Sequence, residues 1–135
     1  MTNKEAMRAK IEQAFAARAQ GNLQEVVAAF HGDGVFELVG NKDTLHIAGA
    51  VEGHPNLEQA MAGFIDNFKF LERDILSFVA DGDRAAVHSR LTIRFAPKDK
   101  TFTTEVLDLF TFRDGKIAEL VEFADTALIK QIAFS

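Results

Sequence analysis

The sequence predicts an α+β domain in which helices pack on one face of an antiparallel sheet. The N-terminal part places apolar residues at helical spacing, whereas the chain after residue 70 shows the alternation and polar turns of strands. The dipeptide Asp114-Gly115, which suits a two-residue hairpin turn, separates two apolar runs. Helices followed by antiparallel strands are typical of α+β domains. The 135 residues fit one domain of common size, which we expect to span 1–135.

The predicted helices have recognisable ends. Residues 4–20 form an amphipathic helix that ends at Gly21. Asn22 then caps a second helix, with Glu25 in capping-box position. Two further helices are predicted, one that starts at Pro55-Asn56 and a short one over 126–132.

The predicted strands are separated by turn residues. Residues 31–34 end the second helix and lead into a short strand at 35–39. A further short strand is expected at 45–48, within loops. Longer strands follow over 71–80, 84–95 and the ribbon 101–125, which folds back at Asp114-Gly115.

Composition limits the classes of partner and cofactor. The formal charge of −5, without a dense run of Lys and Arg, argues against nucleic acid or an anionic membrane as partner. No cysteine is present, which excludes a disulfide or thiolate site and is compatible with the cytoplasm, where we expect the protein. The four His residues lack close pairing and nothing resembles a phosphate loop, so we expect neither metal nor cofactor.

Two carboxylates, Asp108 and Glu122, interrupt the apolar ribbon at positions where packing alone would not require acids. On paired strands they could approach within about 5 Å, where two charges repel by roughly 3 kcal/mol at an effective dielectric of 20. Desolvation by a Phe-rich wall acts in the same direction, so we expect one protonated and one ionised carboxyl. Such a pair can act as acid and base beside a carbonyl group. The alternative is a structural pair, satisfied by backbone amides or an Arg.

The order of elements resembles the nuclear-transport-factor-2-like superfamily, which includes ketosteroid isomerases, limonene-epoxide hydrolases and SnoaL-like polyketide cyclases. The resemblance covers nearly the whole chain and is strongest over 107–117 with Glu122 and Asp125. It is also carried by 21–30 with Asp33, by Gly53 and by 79–83. It implies a cone-shaped, curved antiparallel sheet with about three N-terminal helices over its concave face, around a deep apolar pocket.

The same resemblance implies roles for individual residues. Asp108 stands at the oxyanion-hole Asp of ketosteroid isomerases, but Leu38 and Ala14 replace their base and essential Tyr. Glu122 stands at one catalytic Asp of the epoxide hydrolases, whereas Ser89 and Leu91 replace their Arg and second Asp. SnoaL-like cyclases, which carry a basic carboxylate near the Glu122 position, are the best match. Strand alternation within this fold assigns as substrate-binding residues Phe36, Leu38, Ser89, Leu91, Val106, Phe110 and Leu120.

Two histidines, His46 and His88, are expected at different places relative to the pocket. His46 lies in the loop region expected to rim the pocket and, with a carboxylate, could serve as base or proton relay, although such a residue is more often a solvated loop side chain. His88 and its neighbour Arg90 are expected to face outward. A one-residue slip of the strand register would instead turn both into the pocket, where Arg90 would pair with the carboxylates.

The sequence therefore predicts a cofactor-independent enzyme in which Asp108, Glu122 and His46 move a proton on a small apolar carbonyl compound, as an isomerase, cyclase or hydratase does. Two alternatives stay open: a module that binds an apolar metabolite without catalysis, and an assembly domain with a vestigial pocket. We also expect a homodimer through the outer sheet face, which carries Leu107, Leu109, Val121 and Phe123, unless the C-terminal tail at 132–134 covers that face.

Overall fold

The computed structural model describes residues 4–135, which form four α-helices and six strands. Helices α1 (Lys4–Gln20) and α2 (Leu23–Ala28) precede strand β1 (Phe30–Leu38). Strand β2 (Gly49–Glu52) and helix α3 (His54–Asn67) follow. The chain then continues through β3 (Phe68–Asp81), β4 (Arg84–Phe95), a 3-10 turn (Ala96–Lys98), β5 (Lys100–Arg113), β6 (Lys116–Ala124) and α4 (Thr126–Ala133).

The six strands form one curved sheet in the order β2-β1-β6-β5-β4-β3. Strands β3 to β6 make the antiparallel meander that the sequence predicts. Strand β1, however, pairs parallel with β6, so the sheet is mixed rather than purely antiparallel. Because a parallel pair needs a long connection between its two strands, sequence-local turn signals could not reveal it. The α+β class with N-terminal helices is confirmed.

Several element boundaries differ from the predicted ones, and β3, for example, begins three residues early at Phe68. Strand β1 runs through residues 31–34, because the ladder to β6 shifts register between Phe30 and Val35 and accommodates the glycines. Strand β2 lies at Gly49–Glu52 rather than at 45–48. Residues 45–48 belong to a loop, in which the Leu45 and Ala48 side chains are buried. Helix α3 begins at His54 after Gly53, one residue before Pro55, the predicted start.

The turn between β5 and β6 and a bulge close to it together set the register of the ribbon. Asp114 and Gly115 have positive φ angles of 53° and 75°, as a two-residue hairpin turn of this twist requires. A one-residue bulge between Thr111 and the turn then shifts the ladder, and Asp108 lies directly opposite Glu122. A slip of β6 by one further residue against β5 would turn Glu122 to the opposite face of the sheet, away from Asp108.

The helices cover one face of the sheet, called here the inner face, and the core lies between them. Met7 and Ile11 of α1 and Leu57 of α3 are fully buried there, as are Val87 and Leu91 of β4. None of the helices in residues 4–135 combines the length and apolarity needed to span a membrane.

The opposite, outer face of the sheet carries exposed apolar side chains. Leu107 and Phe123 are 36% and 43% exposed. His88 also faces outward, and its Nε2 lies 2.6 Å from Oε1 of Glu105 on the neighbouring strand. The outward orientation expected for His88 is therefore the observed one, and the alternative register shifted by one residue is not. The C-terminal tail does not cover this face, because Phe134 packs against Phe95, a core residue.

The N-cap of α4 provides a test of local stability. The Asp125 carboxylate accepts a hydrogen bond of 3.1 Å from the Leu128 amide. We expect Asp125→Ala to lower the free energy of unfolding by about 1 kcal/mol, because that amide loses its acceptor. Urea unfolding followed by far-UV circular dichroism measures this, since the chain has no Trp or Tyr. Glu119→Ala, at an exposed position of β6, is the matched control and should change stability by less than about 0.5 kcal/mol. Equal effects of the two variants would contradict the assignment of the cap.

Candidate active site

A cavity of about 110 Å³ lies between the helices and the inner face of the sheet, with room for several water molecules or a small organic molecule. Its walls are mostly apolar, because strands and helices both turn phenylalanines towards it. The eight Phe side chains that line it are Phe15, Phe30, Phe36, Phe64, Phe68, Phe70, Phe102 and Phe110. Its polar or charged lining residues in the described part of the chain are Arg18, Arg73, Thr104, Asp108 and Glu122.

Most of the residues that the sequence assigns to the pocket line this cavity. Both acids do so, together with Phe36, Leu38, Val106, Phe110 and Leu120. Ser89 and Leu91 lie on the correct face of β4 but are fully buried and do not line the cavity. The Arg73 guanidinium, which donates a 3.0 Å hydrogen bond to the Ser89 hydroxyl, covers that position instead.

His46 does not line the cavity either. Its side chain is exposed, and its ring packs edge-on against Phe134, with the ring centroids 4.5 Å apart. The loop buries Leu45 and Ala48 on either side of it, which turns His46 outward, and only the adjacent Ile47 reaches the cavity wall. No contact with the cavity therefore supports the catalytic role predicted for His46.

Asp108 occupies an unusual environment for a carboxyl group. It is 1% exposed, and neither of its side-chain oxygens has a hydrogen-bond partner among residues 4–135. Burial raises the pKa of the Asp108 carboxyl well above its usual value, and the negative charge of Glu122 adds to this. The Arg73 guanidinium acts in the opposite direction with a smaller effect on that pKa. These conditions favour the protonated form of Asp108.

Glu122 faces Asp108 from the neighbouring strand. The Cβ atoms of residues directly opposite each other in an antiparallel ladder lie about 4.5–5.5 Å apart, so the two carboxyl groups are neighbours. Glu122 is only partly buried, whereas Asp108 is fully buried. A partly solvated carboxyl keeps its charge at a lower cost than a buried one. The two carboxyl groups therefore differ in their exposure to water.

Arg73 is a site residue that the sequence analysis did not identify. Its guanidinium lies 3.5 Å from the centroid of the Phe15 ring, and its Nη1 is 3.7 Å from Oδ2 of Asp108. The latter distance is too long for a hydrogen bond but short enough for a strong charge interaction. Burial lowers the pKa of Arg73, and the charges of Asp108 and Glu122 oppose that change.

A bulge in β3 turns Arg73 towards the cavity. The β3–β4 ladder pairs Phe70 with Ile93 but Arg73 with Leu91, so the phase of alternation shifts between Phe70 and Glu72. Unbroken alternation from Phe70 would have placed Arg73 outside and Glu72 inside. The uneven spacing of the apolar residues 70, 75 and 78 is the sequence signal that could have indicated this shift.

Arg18 is the second cation of the cavity wall. It extends the core stripe of α1 one turn beyond Phe15, a spacing that the sequence does show. Its Nη2 donates to the carbonyl oxygens of Phe64 and Phe68, at 3.1 and 2.9 Å, and so caps the last turn of α3. Burial lowers the pKa of Arg18 to about 10, so it remains charged at neutral pH. Its role is at least partly structural.

Within residues 4–135, no group of three or more His, Asp or Glu side chains is placed to hold a metal ion. What the cavity can do chemically depends on its two acids and two cations, in an apolar enclosure where charge interactions are strong.

Known proteins of similar structure share this fold at low sequence identity. A candidate isomerase from Rhodopseudomonas palustris is 17% identical, with 97% of each chain covered and a TM-score of 0.81. A nuclear-transport-factor-2-like protein of unknown function from Burkholderia pseudomallei is 15% identical, with 96% of this chain and 98% of that chain covered and a TM-score of 0.83. An LEH-like epoxide hydrolase from M. tuberculosis is 21% identical, with 97% of each chain covered and a TM-score of 0.72. These identities show a common fold and no more.

The sequence itself identifies the family. No curated protein matches it significantly. The family model of the SnoaL-like domain, however, matches residues 11–120, which include most of α1, all elements from α2 to β5, and Asp108, but not Glu122. Because this match spans most of the chain, the protein belongs to the SnoaL-like domain family, and its fold is nuclear-transport-factor-2-like.

Proposed function

We propose that this protein is a cofactor-independent enzyme that transfers a proton on a small, largely apolar carbonyl compound. The proposal depends on the arrangement of the two acids. Asp108 and Glu122 lie opposite each other on paired strands and line the same apolar cavity. The Asp108 carboxyl has no hydrogen-bond partner within residues 4–135. A native structure rarely leaves a buried polar group unsatisfied unless a ligand completes it or a function requires it.

The two acids take different roles in the proposed step. Glu122, the more solvated carboxyl, removes a proton from the carbon next to the substrate carbonyl, and the electrons of that C–H bond form the double bond of an enolate. Asp108, in its protonated form, donates a hydrogen bond to the oxygen on which negative charge develops. Return of the proton from Glu122 to a different carbon completes an isomerisation. In a cyclisation, the enolate carbon would instead attack a second carbonyl, whose oxygen receives the electron pair of its C=O bond and then the proton from Glu122.

Replacement of Glu122 tests the base directly. Proton abstraction beside a carbonyl exchanges hydrogen for deuterium in heavy water, so proton NMR of a panel of small ketones and enones reveals it before the full reaction is known. We expect Glu122→Gln to lower the exchange rate by about 100-fold or more, because the amide cannot accept the proton. Urea midpoints should show that the variant is folded.

Glu119→Gln is the matched control for that experiment. It makes the same chemical change on the same strand, at an exposed position outside the cavity, and should leave exchange unchanged. Exchange by Glu122→Gln at the wild-type rate would show that the base has been assigned to the wrong residue.

The pH dependence of stability tests the state of Asp108. Because burial raises the pKa of the Asp108 carboxyl in the folded protein above that of an unfolded Asp, the folded state binds more protons between the two values. This contribution to stability is fully present below the pKa of Asp108 in the unfolded chain. It is lost as the pH rises through the pKa of Asp108 in the folded protein. We therefore expect Asp108→Asn to gain stability relative to wild type as the pH rises from about 4, the ordinary pKa of Asp, towards the raised pKa of the folded protein.

Urea unfolding of both proteins across this pH range measures the difference. Asp81→Asn, which removes an exposed carboxyl at the end of β3, serves as the control for loss of one charge. A stability difference between Asp108→Asn and wild type that falls with rising pH would mean that Asp108 is held ionised, as a structural partner of Arg73.

A non-catalytic ligand-binding module is the second candidate. The proximity of Arg73 to Asp108 favours it, since a cation beside the acid could serve packing and charge balance alone. The same cavity would then bind an apolar compound without proton exchange. Ligand binding by wild type, with exchange absent over the whole ketone panel, would support this candidate over the enzyme.

We further propose that two copies of the chain associate through the outer sheet face. The exposed Leu107 and Phe123 lie on it, and nothing in the described part of the chain covers them. We expect wild type to elute as a dimer in size-exclusion chromatography with light scattering, and Phe123→Glu to be monomeric, because a charge would be buried in the interface. Phe134→Glu, which changes an exposed Phe away from that face, should remain dimeric. A monomeric wild type would contradict this proposal.

A further inference from the structure

The cavity holds a cation whose hydrogen-bonding capacity is largely unused. Arg73 is 14% exposed at its side chain, and Ser89 is the one hydrogen-bond acceptor that its guanidinium has among residues 4–135. A guanidinium has five N–H donors, and burial without acceptors is costly for such a group. The remaining donors therefore need an acceptor that residues 4–135 do not supply.

The other cation cannot take over this role. Arg18 donates to two main-chain carbonyls at the end of α3, and its guanidinium lies over the Phe70 ring at 3.8 Å. The Arg18 guanidinium therefore stabilises the end of that helix. Arg73, in contrast, is stacked on Phe15 and fixed by a single hydrogen bond, so its orientation is set while its donors are open. Arg73 is thus the cation available to a ligand.

The charges of the cavity are also unbalanced. Arg18 and Arg73 are positive, Glu122 is the partly solvated acid, and the burial of Asp108 favours its neutral form. Two cations then face one anion within an apolar enclosure. A negative charge on the ligand would restore neutrality, at a place where charge interactions are weakly screened.

We infer that the ligand of this cavity is a flat, apolar organic anion, specifically an aromatic or unsaturated carboxylate, and that Arg73 binds its carboxylate. The planar guanidinium fork matches a carboxylate with two parallel hydrogen bonds. The Phe-lined walls suit a flat hydrocarbon skeleton. Asp108, 3.7 Å from Nη1 of Arg73, is close enough for its proton to be donated to the same ligand oxygens.

This inference rests on the proposed function only in placing the ligand in the same cavity. It concerns the charge of the ligand and assigns Arg73 as a specificity-determining residue, whereas the proposed function concerns the proton-transfer role of Glu122. The two can therefore fail independently.

Matched pairs of carboxylates and neutral amides provide the test. Isothermal titration calorimetry would measure the binding of benzoate against benzamide and of trans-cinnamate against trans-cinnamamide. We expect wild type to bind each carboxylate about tenfold or more tightly than its amide, because a charge-assisted bidentate pair forms only with the anion. Repetition at raised salt separates this from surface attraction, which salt screens strongly.

Variants of Arg73 then localise the preference. Arg73→Gln should bind the carboxylate and the amide with equal affinity, and Arg73→Lys should keep part of the preference, since it retains charge without the planar fork. Arg90→Gln removes the same charge from the outer face of β4, where Arg90 is 49% exposed, and should keep the full preference. Circular dichroism checks that each variant is folded.

Three outcomes would overturn the inference: no saturable binding of either carboxylate to wild type, equal affinity for carboxylate and amide, or an undiminished preference in Arg73→Gln. If wild type prefers carboxylates but catalyses no hydrogen exchange, this inference stands and the enzymatic proposal is wrong. If it catalyses exchange but has no preference for carboxylates, the enzymatic proposal stands and this inference is wrong.

Discussion

The pairing of β5 with β6 is the constraint on which the rest of the site depends. A two-residue turn with two left-handed residues, Asp114 and Gly115, joins the strands, and a bulge close to it shifts the ladder by one residue. The resulting register brings Asp108 and Glu122 to the same point of the inner face, where both line the cavity. If β6 moved by one residue against β5, Glu122 would turn to the outer face and Phe123 would turn inward.

Burial of Asp108 is costly for a protein of this size. An unsatisfied buried carboxyl lowers stability by about 1–3 kcal/mol, a large part of the 5–15 kcal/mol that a typical domain has. A hydrophobic residue would pack at the same place on β5, between Val106 and Phe110, without that cost. Residues that lower stability in this way are concentrated at functional sites. Experiments should therefore begin with the cavity and not with the histidines on the surface.

The electrostatic character of the cavity comes from elements that are distant in the chain. Arg18 reaches it from α1, Arg73 from a bulged strand, and the acids from the ribbon. Each cation lies over a Phe ring, Arg18 over Phe70 and Arg73 over Phe15, so the aromatic wall also positions charge. The fold therefore combines an apolar enclosure with a small number of oriented polar groups, as small-molecule sites do.

The sequence by itself determined the α+β class, the N-cap at Asn22, the β5–β6 turn and the inward face that carries Asp108, Glu122 and Phe110, because alternation and turn chemistry are local properties. Only the tertiary structure decided the rest. The parallel pairing of β1 with β6 joins segments far apart in the chain. The bulge in β3 turns Arg73 rather than Glu72 inward, so that Arg73 covers Ser89, while the loop conformation turns His46 away from the cavity. These outcomes depend on which segments pack together, and a shift of one residue in a ladder exchanges the two faces of a strand.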